Sequence, residues 1–100
     1  MQDYTLKIHS EALDDIQQVT DWYNEQKDGL GKRFQIQVIR QISKLKDTAP
    51  FYNIRYQDVR CLIIRKFPFM VHYTINQKFG IITIYAVVHT SRKPKIWSKR

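Results

Sequence analysis

The stretch FMVHYTINQKFGIITIYAVVH, residues 69–89, decides the fold. Phe69, Val71, Tyr73 and Ile75 recur at every second position, the period of a strand with one buried side. Asn76 to Gly80 interrupts that alternation with the composition of a tight turn, in which Phe79 stands out, and Ile81 to His89 resumes it. The segment predicts a β-hairpin. On its second strand Ile82, Ile84, Ala86 and Val88 share one side, expected to face the core. Thr83, Tyr85, Val87 and His89 share the other, expected to be partly open.

Working outward, Val59 to Lys66 reads as a further strand with a β-branched centre, and Tyr52 to Tyr56 as a short one. Upstream the period changes to that of a helix. Phe34, Val38, Ile42 and Leu45, widened by Ile39, form the buried stripe of a helix that begins near Gly31 and ends before Pro50. Ala12, Ile16, Val19 and Tyr23 form the stripe of an earlier one, opened by Ser10 as N-cap and running to about Gln26, where Asp28-Gly29 stops it. The connection is too short for anything but an antiparallel pair. Tyr4 to His9 alternates as a first strand. The order β-α-α-β-β-β(-β) predicts a small α+β domain over residues 1–100, with a basic tail at 93–100. A helical hairpin is expected on one face of an antiparallel-rich sheet.

No Asp or Glu follows Asp58, whereas that region carries nine Lys or Arg, and seven of the nine acids precede Gly29. A half-chain so basic is expected to meet phosphate or an acidic protein. With the acidic first helix on the far side, the late cations should converge on the open sheet face. Cys61 is the only cysteine, which rules out an intrachain disulfide. Its apolar neighbours favour a small buried residue, and a lone thiol fits a reducing cytoplasm. No apolar run approaches a membrane span, and no secretory leader is read at the start. Three dispersed histidines and one cysteine make a metal site unexpected, and the glycines form no phosphate loop, so no cofactor is expected.

One constellation is left for chemistry. His89, at a strand end near Arg92, is placed for acid/base work on a phosphodiester. Tyr85 would share its strand face and Arg60 or Arg65 would reach it from a neighbouring strand. Arg65, Lys66, Arg92, Lys93 and Lys95 are the candidate phosphate ligands, and Trp97 either stacks on a base or docks the tail. The alternative reading of His89 is a histidine that ends its strand and bonds the following turn. His72 is placed to line the open face, His9 to end the first strand, and Asp14, Asp15 and Asp21 to be solvated. Phe67-Pro68-Phe69 reads as a packed corner.

Taken in order, Trp22-Tyr23, Gly29-Leu30-Gly31 with Phe34, Pro50 and Tyr52, Val59-Arg60, Phe67-Pro68-Phe69 with Tyr73, and Ala86-Val87-Val88-His89 followed by Arg92, Pro94 and Trp97 resemble the RelE/ParE superfamily of type II toxin–antitoxin toxins. The resemblance spans nearly the whole chain. It implies the same fold, a bacterial toxin and a cognate acidic antitoxin that folds over the open face, covering Arg60, Tyr85, His89 and the tail. Two targets follow from it. ParE-like members inhibit DNA gyrase by contact. RelE-like members are metal-independent endoribonucleases that cut mRNA on the ribosome, with His89 where some of them place a catalytic histidine. Pro68-Phe69 stands where the ribonucleases often carry an arginine, which brings the chain closer to the ParE-like branch. A non-toxic nucleic-acid-binding or protein-interaction module is the third reading, and exposed sheet edges leave a homodimer open.

Overall fold

Residues 69–89 form the expected hairpin, β4 (Phe69–Asn76) and β5 (Ile81–His89), in the computed structural model, which describes residues 3–92. Ahead of it come β1 (Thr5–Ile8), α1 (Ser10–Gln26), α2 (Leu30–Thr48), a 3-10 turn at Ala49–Phe51, β2 (Ile54–Tyr56) and β3 (Val59–Ile63). The sheet order is β1-β5-β4-β3-β2. The last four strands form an antiparallel meander, and β1 lies parallel to β5, with Leu6 opposite Ile82. The α+β reading therefore holds, with one parallel pair in an otherwise antiparallel sheet. No helix among the described residues is long and apolar enough to cross a membrane.

The helices cover one face. Ala12, Ile16, Phe34, Val38, Ile42 and Leu45 pack with Leu62, Ile64, Val71, Tyr73, Ile82, Ile84 and Val87 in one core. Phe67 and Phe69 join Tyr23 and Phe34 with ring centroids 5.2–6.1 Å apart, so the Phe67-Pro68-Phe69 corner is packed as expected. Tyr73 is fully buried and its hydroxyl donates to Ala49 O at 2.8 Å, tying the sheet to the turn after α2. Burial raises the Tyr73 phenol well above its ordinary range, with Arg60 opposing.

Several expectations need correction. The N-cap of α1 is His9, whose Nδ1 accepts from Glu11 N at 3.3 Å, and Ser10 is the first helical residue. Ile39 does not widen the buried stripe, because it is 56% exposed. Cys61 is only half-buried and faces away from the helices, beside His72. Most consequential is β5. Tyr73 pairs with Ile84 and His72 with Ala86, so Tyr85 is an extra residue, a β-bulge. Beyond it the alternation reverses. Val87 joins the helix-side core, while Ala86 and Val88 pack with Tyr56 and Tyr85 on the opposite face.

Asp15 is not simply solvated either. β1 accompanies β5 only as far as Ile84. Past that point the β5 edge needs another acceptor, and the Asp15 carboxylate takes the Val87 N–H at 3.1 Å.

Candidate functional site

The bulge decides which candidate residues meet. His89 and Tyr85, expected on one strand face, lie on opposite faces. The His89 ring contacts Phe69 edge-on at 5.3 Å on the helix side, whereas Tyr85 packs on the other face with Ala86 and Val88 and lies 6.0 Å from the His9 ring. Arg60 pairs with Tyr73, four residues further along β4 than Phe69 and one strand over. Its guanidinium donates to Pro50 O at 3.1 Å and Tyr52 O at 2.6 Å. Arg60 therefore ties down the chain that leads into β2, and His89, Arg60 and Tyr85 do not converge. Arg60→Ala should leave two partly buried carbonyls without their donor and lower stability by about 1–3 kcal/mol in urea denaturation. Unchanged stability would show that water replaces the guanidinium.

Among the described residues, the late cations do not converge on the open face. Arg65 and Lys66 lie in the β3–β4 loop, Lys78 in the β4–β5 turn at the other end of the hairpin, and Arg92 beside α1 in a recess with Asp15. Lys93 and Lys95, with Trp97, lie outside the described residues. The polar basin on the open face is lined by Lys7, Asp58, Thr74, Gln77, Thr83 and Tyr85, and its cation is Lys7 from β1. Lys78 lies over the Phe79 ring in the hairpin turn, and Arg92 follows the end of β5. Composition alone has no knowledge of either.

Part of the predicted set does gather at one end of the sheet. Trp22, Tyr23, Pro68, Phe69 and His89 wall an apolar groove of about 340 Å³. A smaller recess of about 160 Å³ continues it past Val87, His89 and Arg92 to Asp15 and Val19. Arg65 and Lys66 precede Pro68 on the same loop, which Gln41 pins to α2 by accepting from Arg65 N at 2.8 Å and donating to Ile63 O at 3.0 Å. Thr90 N donates to Pro68 O at 2.9 Å and joins this loop to the end of β5. His89 is oriented by its own turn: Nδ1 accepts from Ser91 N at 3.0 Å and lies 2.7 Å from Ser91 Oγ. A neutral ring held this way carries its proton on Nε2. Trp22, 54% exposed and edge-on to Tyr23 at 5.2 Å, is the wall that strand-centred reasoning overlooked. Its signal was a large aromatic one position off the buried stripe of α1.

A second cluster lies on the opposite face. His72 is 2% exposed, its Nδ1 3.0 Å from the Tyr56 hydroxyl and 3.5 Å from Cys61 Sγ. Burial pulls its pKa down to about 4, with Arg55 adding to the effect and Asp15 opposing it. Burial also raises the Cys61 thiol, against Arg55. A neutral, enclosed imidazole and an undissociated thiol make this a polar piece of the packing. Among the described residues, no group of three metal-ligating side chains occurs.

With this geometry in place, the comparisons bear on the fold. A chain of the solved structure titled "Chromosomal ParDE TA system from P. aeruginosa" superposes with a TM-score of 0.77, covering 86% of this chain and 95% of that one. The two chains share a fold. Their sequences are 18% identical. No protein-family model matches the sequence, and no curated protein matches it.

Proposed function

We propose that this chain is the toxin of a bacterial type II toxin–antitoxin system, ParE-like in inhibiting DNA gyrase by contact, and neutralised by a cognate acidic antitoxin. The observation that carries the reading is the fold shared along almost the full length of a ParDE-system chain. The gyrase branch draws support from the separation of His89, Arg60 and Tyr85, which do not meet as one constellation. A net charge of +8 suits an acidic partner, since complementary charge speeds encounter and sets register. The cytoplasm is where such a target and partner would be met.

The RelE-like endonuclease is the second reading, favoured by one observation: the His89 ring is held by Ser91 beside Arg92 at the mouth of a groove. Induced expression separates the two. On the gyrase reading, growth stops, purified protein blocks supercoiling at stoichiometric amounts, and His89→Ala leaves the arrest intact. Codon-linked cuts in primer extension, abolished by His89→Ala, would transfer the assignment to the ribosome. No arrest and no effect on supercoiling would leave a non-toxic interaction module.

A further inference from the structure

The helical hairpin is polarised in charge. Helix α1 carries Glu11, Asp14, Asp15, Asp21 and Glu25 and no Lys or Arg. Helix α2 carries Lys32, Arg33, Arg40, Lys44 and Lys46 against a single acid, Asp47. Between the two helices and the β1 edge runs an apolar groove of about 400 Å³. Its floor holds the buried Ile16 and Ile42, and its walls are Leu13 from α1 and Ile39 from α2, 52% and 56% exposed. Ile8 closes one end and is 39% exposed. Aliphatic side chains this exposed along one trough are unusual on a surface that faces only water.

We infer that this groove is the interface of a two-fold homodimer in which α1 of each copy lies against α2 of the other. The charge pattern names the occupant. A helix pair seated here needs an apolar stripe, with basic residues over α1 and acidic residues over α2. The hairpin of a second copy has that arrangement. A two-fold axis along the groove exchanges left and right while keeping direction, so the acidic rim of one copy meets the basic rim of its partner. It also sets each α1 antiparallel to the partner's α2, which opposes their dipoles favourably. By helical periodicity Asp14 and Asp21 flank the α1 wall, Gln17 donating to Asp21 at 2.9 Å, while Lys32 and Lys46 flank the α2 wall. Because the helices run antiparallel, this axis brings Asp21 within about a turn of the partner's Lys32. The inference is independent of the toxin reading, and it places self-association on the helices, not on the sheet edges.

Sedimentation equilibrium of the full chain should give a dimer at micromolar concentration. Ile39→Glu should weaken the dimer roughly 100-fold, since each change counts twice in a symmetric interface. Its circular dichroism should be unchanged, because the side chain is already exposed. Asp21→Lys should weaken it about tenfold, and adding Lys32→Asp on the same chain should restore it by reversing both partners of each pair. A chain that stays monomeric at its highest soluble concentration would overturn the proposal. So would a dimer indifferent to Ile39→Glu, or a charge reversal that the second change does not rescue. Monomer in isolation together with one-to-one binding of an amphipathic partner helix would give the groove to another polypeptide.

Discussion

Replacing Gly31 by alanine is expected to destabilise the protein by roughly 3 kcal/mol or more, because the new methyl group has nowhere to go. A Cβ at this position would collide with the backbone carbonyl of Thr20 on α1 and lie 2.6 Å from Asn24 Cγ. Asn24 cannot turn aside freely, since its Oδ1 accepts the Gly31 N–H at 2.8 Å. The clash is backbone against side chain, so relief requires α1 and α2 to move apart over Phe34, which lies at the centre of the core. For a domain that stands about 5–15 kcal/mol above its unfolded state, this is a large fraction, and the melting temperature should fall by about 10 °C or more. Gly29→Ala is the control. Nothing lies within 4 Å of a Cβ there, and only the left-handed backbone, φ +84°, penalises it, by about 1–2 kcal/mol. Equal losses in the two variants, read by urea denaturation, would mean that the helices do not approach as closely as described.

Acidification should weaken the fold through His72. Its folded-state pKa, about 4, lies below the ordinary 6.5, so the unfolded chain binds more protons between those values. Stability is therefore complete above pH 6.5 and is lost as pH falls toward 4, by about 3 kcal/mol across the window. The groups that face the ring explain the direction. Burial disfavours the imidazolium, Arg55 repels it, Tyr56 and Cys61 offer no charge, and Asp15 compensates only in part. His72→Gln keeps an acceptor and removes the titration. It should be less stable at neutral pH yet show a much smaller loss over this window. Wild-type stability that is flat from pH 6.5 to 4, or a slope that survives in the variant, would place the acid sensitivity elsewhere.

The hairpin, the two helices and their order were legible in the sequence because each rests on local periodicity. Phe69, Val71, Tyr73 and Ile75 can share one side only in a strand, and Phe34, Val38, Ile42 and Leu45 only on a helix. The candidate site was legible residue by residue but not as an assembly. Alternation along β5 is a sound guide as far as Ile84, and a single extra residue, Tyr85, then reverses every later assignment. Nothing in the composition of Ile84-Tyr85-Ala86-Val87 announces that reversal, because it arises in the register with β4 and in Asp15 reaching across to Val87 from α1. Likewise the excess of cations after Asp58 was plain, while the places of the described ones depended on which loop or strand carried each.

By itself the sequence determined the elements, the helix-covered face of β4 and the net positive charge, since these follow from spacing and side-chain chemistry within a few residues. Only the tertiary structure decided that His89 parts from Tyr85, that Arg60 serves the backbone of the chain before β2, and that Trp22 joins His89 at one groove. Each of those outcomes depends on contacts between segments far apart in the chain, and strand register and helix packing set them.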